Sequence, residues 1–119
     1  MQNLYTTDEG VQSTPEERLF AAVIGLALRD ACMKPIKVNN RMELQSEAQS
    51  AHKFIWSDAI ESYLHWLDID AGQFRSRITS IMQNTDNFKI GGFSPEERRA
   101  FRFNKTLWED LWSTTQKGA

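Results

Sequence analysis

The chain has 119 residues, with 14 Lys/Arg against 16 Asp/Glu, a formal net charge of −2 and 40% hydrophobic content. That length suits one domain with its own hydrophobic core. The single cysteine, Cys32, excludes an internal disulfide framework, and the near-neutral balance excludes a surface built throughout for nucleic acid.

Residues 1–13 are polar and without periodicity, which predicts a mobile N-terminal arm ahead of a single helical domain over 14–119. The first helix is signalled by Thr14-Pro15-Glu16-Glu17: a hydroxyl at the N-cap, proline in the first turn and a glutamate to complete a capping box. It runs to about Met33, with Leu19, Phe20, Val23, Ile24, Ala27, Leu28 and Ala31 as a wide apolar face. Pro35 ends it, and Lys34 to Asn40 read as a loop. A second helix is expected from about Arg41 to Trp56, burying Met42, Leu44, Ala48, Ala51, Phe54 and Ile55. The longest apolar run, Leu19 to Leu28, is too short to span a bilayer, and the start MQNLYTTDEG is unlike a secretory signal. A cytoplasmic protein with no membrane partner is expected.

Residues 57–83 predict two short amphipathic helices joined by a tight acidic turn, the outline of a helix-turn-helix. Ile60, Tyr63, Leu64 and Leu67 line one face of the first, and Phe74, Ile78, Ile81 and Met82 line the second. Ser57 is a candidate N-cap for the first, and Asp70 with Gln73 a capping box for the second, which puts the turn at Asp68-Ile69-Asp70. In a nucleic-acid reader the second helix, Ala71–Met82, would present Gln73, Arg75, Ser76, Arg77 and Ser80 to phosphates and base edges. The same pair serves equally as part of any small helical core.

Asn84-Thr85-Asp86-Asn87 is a turn-forming cluster, and Gly91-Gly92 is the clearest flexible point. Ser94-Pro95-Glu96-Glu97 then repeats the start chemistry of residues 14–17 and opens a last helix to about Ser113, with Phe101, Leu107, Trp108, Leu111 and Trp112 as its apolar residues. The residues after the two strings do not match, so this is one capping solution used twice. The fold class expected is all-α: a single compact domain of about five helices with a helix-turn-helix-like pair at 57–83. Leu19, Val23, Ile24, Leu28, Phe54, Tyr63, Leu67, Phe74 and Ile78 are the expected core.

Charge is uneven along the chain. Residues 1–71 carry six Lys/Arg against eleven Asp/Glu, a net of −5, while residues 72–119 carry eight against five, a net of +3. The second half is therefore the candidate electrostatic footprint for nucleic acid. Between Phe88 and Lys105, basic residues that include Arg98, Arg99 and Arg102 alternate with Phe88, Phe93, Phe101 and Phe103, a composition able to grip phosphates and stack bases. A helix with its aromatics packed inward and its arginines solvated has the same composition. Trp66 and Trp112 are candidate interface anchors for a protein partner or a homodimer.

Other chemistry is thinly represented. His65 shares a helical face with Asp58 and Glu61 but has no fourth ligand in view. The string Asp68-Ile69-Asp70-Ala71-Gly72 opens like an EF-hand loop, yet its glycine falls one position early and Thr79 stands where the closing glutamate is needed. Cys32 with His52 would make a nucleophile and base, but a Cys at the end of an apolar helix reads first as a small core residue. With no glycine-rich phosphate loop and no G-x-S-x-G, the chain is expected to be no enzyme and to need no metal or cofactor.

The string LFAAVIGLALRDA at 19–31, followed after a spacer by AHKFIWSDAIESYLHWLDIDAGQFRSRI at 51–78, resembles a group of small proteins encoded in phage and prophage genomes. In that group a helix ending in Arg-Asp precedes a Phe-Ile/Leu segment, then Leu-x-hydrophobic-Asp, three residues, a hydrophobic residue and Arg. Here Leu67, Ile69, Asp70, Phe74 and Arg75 occupy the later positions. Leu64 stands where the group often has cysteine, and Asp68 where it often has glycine. The resemblance covers about half the chain and implies an origin, a phage or prophage accessory gene acting in a bacterial host, more than an activity.

The leading functional expectation is a small phage-type regulatory protein that binds nucleic acid through Ala71–Met82, with Arg75 and Arg77 on phosphates or bases and Gln73 as a base reader. Its rival is a non-enzymatic protein that binds and inhibits or redirects a host protein, such as RNA polymerase or a defence complex, with the acidic half as working surface. A virion or packaging component acting by self-assembly is the third.

Overall fold

A computed structural model describes residues 14–83 and 92–117. Among these, five helices and one short hairpin make an all-α single domain: α1 (Pro15–Ala31), β1 (Ile36–Val38), β2 (Arg41–Glu43), α2 (Ser46–Ile55), α3 (Ala59–Trp66), α4 (Ala71–Gln83) and α5 (Pro95–Lys117). The arm expected at 1–13, the turn cluster at 84–87, and Phe88, Lys89 and Gly91 lie outside the described residues.

Both helix-start strings form capping boxes. Thr14 Oγ1 accepts from Glu17 N at 3.1 Å while Glu17 Oε1 accepts from Thr14 N at 2.8 Å. Ser94 and Glu97 repeat those two bonds at the same distances. Each box satisfies two backbone donors that a helix start would otherwise leave without partners. Glu97 also pairs with Arg29 of α1, so the cap of α5 is tied to the first helix. The bonds from Ser94 and from Arg29 hold the Glu97 carboxyl below the usual carboxylate range.

The helix expected from Arg41 begins only at Ser46. In place of its first turn, β1 and β2 pair antiparallel, with Ile36 opposite Glu43 and Val38 opposite Arg41. The cause is the two-residue turn: Asn39 and Asn40 take φ of 52° and 64°, the left-handed pair that a tight hairpin requires and that asparagine tolerates. Gln45 Nε2 then donates to Lys34 O at 2.6 Å and closes the base of the hairpin. Met42, expected in the core, is 42% exposed on β2.

The main core gathers Ile24, Ala27, Leu28 and Ala31 of α1 with Ala51 and Ile55 of α2, Ile60 and Leu64 of α3, Met82 of α4 and Phe101 of α5. Phe54, Tyr63, Leu67, Phe74 and Ile78 pack against it while staying partly exposed. A smaller cluster of Leu44, Ala48 and Trp108 extends it towards the hairpin. At the join, Ala31 O, at the end of α1, accepts from His52 Nε2 at 3.2 Å and from Asn104 Nδ2 at 3.1 Å. A carbonyl only accepts, so the imidazole carries its hydrogen on Nε2. His52 is fully buried among Trp56, Phe101 and Trp108, and burial pushes its pKa down from 6.5 to about 4. Cys32, next in the chain after Ala31, is 5% exposed, and burial foremost raises its thiol to about 12.

Between α3 and α4 the chain turns through Leu67–Asp70. Ile69 N donates to Leu64 O at 2.8 Å and Asp68 N to His65 O at 3.0 Å, with Asp68 at φ 58°. That bond pair with a left-handed residue between is a Schellman termination, and it fixes the turn where the sequence places it. Asp70 Oδ2 then accepts from Gln73 N at 2.9 Å and starts α4. Ser57 acts near the start of α3, accepting from Ala59 N at 3.2 Å and donating to Phe54 O at 2.8 Å.

Candidate functional site

The expected reading helix forms, but its leading arginine faces the wrong way. Arg75 Nε donates to Ile55 O at 2.9 Å, one terminal nitrogen donates to Ser57 O at 2.8 Å, and the other pairs with Glu61 Oε2 at 3.2 Å. Ile55 O lies at the C-terminal end of α2, where carbonyls lack intrahelical partners. Arg75 therefore clamps the α2–α3 connection onto α4, and its donors are turned away from any ligand. Gln73, Ser76, Arg77 and Ser80 do lie on the exposed face of α4. The rim of the turn, however, carries the carboxylates of Asp68 and Asp70 beside Glu61 and His65, and these two acids repel phosphate.

The basic-aromatic segment divides in the same way. Arg98 is 1% exposed, and Phe101, equally buried, belongs to the core. Arg98 is thus removed from the surface set by burial, as Arg75 is by its internal bonds. Lys105 pairs with Glu109 at 3.0 Å and sits 5.5 Å over the Trp56 ring. Arg102 is exposed and donates to Gln83 O at 3.2 Å, at the end of α4, while Arg99 is exposed nearby on α5. Of the five arginines expected to contact nucleic acid, Arg77, Arg99 and Arg102 remain at the surface.

The more coherent surface is apolar. Leu19, Leu26 and Trp66 are 61%, 63% and 67% exposed, well above the other large apolar residues described. Leu19, expected in the core, lies outside it because the buried stripe of α1 runs through Ile24, Ala27, Leu28 and Ala31. Leu19 and Leu26, seven residues apart, fall together on a flanking stripe. Ring contacts carry the band across three helices. Phe20 stands edge-on to Tyr63 at 5.5 Å and 6.3 Å from Trp66, and Tyr63 meets Phe54 at 5.4 Å. Phe54, Val23 and Leu26 line a groove of about 370 Å³ between α1 and α2.

Trp66 belongs to this band, whereas Trp112 stacks on Trp108 at 6.2 Å beside the smaller cluster. The two predicted anchors are both exposed but serve different elements. Leu26 is the residue that sequence reasoning missed. Its signal was the seven-residue spacing from Leu19, at the border of an apolar face already wide enough to bury a helix.

Among the described residues no group of three or more His, Cys, Asp and Glu side chains is placed to hold a metal ion, and no helix is long and apolar enough to cross a membrane. The fold and the band together define a small all-α domain with an apolar face exposed among the described residues. No family model matches the chain, and neither the curated proteins nor the solved structures contain a match to it.

Proposed function

We propose that this chain is a non-enzymatic, phage-type protein that works by binding a host protein, and that the band of Leu19, Leu26 and Trp66 is its contact surface. The observation that carries the reading is the exposure of these three side chains on the adjoining helices α1 and α3, together with the chain of ring contacts from Trp66 through Phe20 and Tyr63 to Phe54, which lines one groove with Leu26. Isolated exposed apolar residues are ordinary, whereas a continuous apolar surface spread over several elements marks an interaction site. Tryptophan is also a residue type favoured as an interface anchor. The band lies in the half of the chain that carries the net charge of −5, which disfavours phosphate.

The rival reading, nucleic-acid binding through α4 with the basic residues of α5, is weakened because Arg75 is bonded within the fold and Arg98 is buried. The test is capture from bacterial lysate with and without nuclease treatment, using wild-type protein and Leu19→Asp/Leu26→Asp. A defined protein held by the wild type and released by the double variant supports the proposal. Recovery of nucleic acid, or capture that the variant leaves unchanged, contradicts it.

A further inference from the structure

The groove between α1 and α2, which Leu26 joins to the band, has a charge pattern that specifies its occupant. Its floor is Ala27 and Ala51, 8% and 5% exposed, whose small side chains leave room beneath the walls of Val23, Leu26 and Phe54. Two carboxylates, Asp30 and Glu47, also line it, and no Lys or Arg does. Neither carboxylate forms a salt bridge among the described residues, although Ser46 Oγ donates to Glu47.

Both acids sit at the same end. The start of α2 lies by the end of α1, through the Gln45 bond to Lys34 O, while Phe54 at its other end reaches the rings beside Phe20. The groove thus runs from an apolar end at Val23 and Phe54 to an acidic end at Asp30 and Glu47. From Val23 to Asp30 is about 10 Å along the helix, roughly two turns.

We infer that this groove takes the apolar face of an amphipathic partner helix that carries lysine or arginine at the end meeting Asp30 and Glu47. The inference rests on the protein-binding reading above and adds the chemistry of the partner. An apolar trough of two turns accepts side chains at i, i+3 or i+4, and i+7 of a helix. The two carboxylates at one end, neither in a salt bridge among the described residues, fix the direction in which that helix lies and select against acidic ones. An anionic lipid surface is disfavoured by the same two charges.

The test uses the full chain and two fluorescein-labelled helical peptides with one leucine face at i, i+3 and i+7. One peptide carries two lysines beyond the last leucine, and the other carries two glutamates there. The lysine peptide is expected to bind about tenfold more tightly at low salt, with the margin narrowing as salt rises. Asp30→Lys/Glu47→Lys should reverse the preference. Asp30→Lys alone, a cation at the end of a helix and so compatible with the fold, should at least abolish it.

Equal binding of both peptides, unchanged by these substitutions, overturns the inferred partner chemistry but leaves the band as a protein-binding surface. Loss of all binding in Leu26→Asp together with equal peptide affinities leads to that same conclusion. Binding of neither peptide overturns the inference. In that case a wild-type dimer that Leu26→Asp dissociates would assign the groove to a second copy, and a monomer that also captures no protein would remove the protein-binding reading as well.

Discussion

Arg75 on α4 donates through Nε to the backbone oxygen of Ile55 at the end of α2, 2.9 Å away, and this one bond separates a structural arginine from a reading one. Its other donors reach Ser57 O and Glu61, and its side chain is 22% exposed. Truncation would leave two carbonyls and a carboxylate without this partner, so Arg75→Ala should destabilise the fold by about 2–3 kcal/mol. Arg75→Lys should recover little, because an ammonium cannot reproduce the planar fork. Arg77→Ala, on the exposed face of the same helix, should fall within about 0.5 kcal/mol of wild type. Urea unfolding of the three variants checks this, and equal midpoints for Arg75→Ala and Arg77→Ala would show that the clamp carries no stability.

Thr14→Ala and Ser94→Ala should each cost about 1 kcal/mol, since each removes the oxygen that accepts from the third helical N–H. Ser94→Ala should be the more damaging of the two. Glu97 is positioned by the box of α5 and also pairs with Arg29, so the α1–α5 contact loosens with the cap. A double-mutant cycle between Ser94→Ala and Arg29→Ala should show coupling, and strict additivity would mean that cap and ion pair act separately.

Stability should fall as pH drops from 6.5 towards 4. His52 in the unfolded chain takes up a proton at about pH 6.5, whereas in the fold it stays neutral to about 4. Protonation in place would bury a second N–H on Nδ1, an atom with no hydrogen-bond partner. Between those values the unfolded state binds more protons, so about 2–3 kcal/mol should be lost across the window. Glu97 adds a loss at lower pH, where its depressed carboxyl protonates. His52→Gln keeps a donor near Ala31 O and removes the titration. Its unfolding free energy should therefore vary less between pH 6.5 and 4 than the wild type's, and parallel curves would assign the dependence to other groups.

Asp68→Gly should stabilise the protein by about 1 kcal/mol. Asp68 holds φ at 58° in the Schellman turn after α3, a conformation that costs a side-chain-bearing residue more than glycine. Thermal unfolding reads the change directly. A lower midpoint would show that the aspartate carboxylate, at the rim beside Asp70, contributes more than the strain removes.

The parts of the fold legible in the sequence are those fixed by local chemistry. The strings Thr14–Glu17 and Ser94–Glu97 mark two helix starts within a residue, because the capping bonds link side chains three positions apart. The turn at 68–70 is legible for the same reason. The hairpin was hidden because Met42, Leu44 and Ala48 also suit a helical face, and only the adjacent asparagines, Asn39 and Asn40, carried the turn. Arg75 reads in sequence as a surface residue because its partners, Ile55 O and Ser57 O, lie 20 and 18 residues away and meet it only once α2, α3 and α4 have packed. Leu19 and Leu26 show the limit of periodicity as a guide. An apolar face wider than the core can cover looks in sequence like a more deeply buried helix, whereas in the fold its margin is the exposed band.

Whether the apolar band or the remaining surface arginines make the functional contact is decided by comparing two variants in nuclease-treated lysate capture: Leu26→Asp, and Arg77→Ala/Arg99→Ala/Arg102→Ala. Neither set touches the buried core, so both variants should fold as the wild type does. If the band is the working surface, Leu26→Asp loses the captured protein and the arginine variant retains it. Retention by Leu26→Asp with loss in the arginine variant would contradict the protein-binding role of the band and restore the basic surface as the working face.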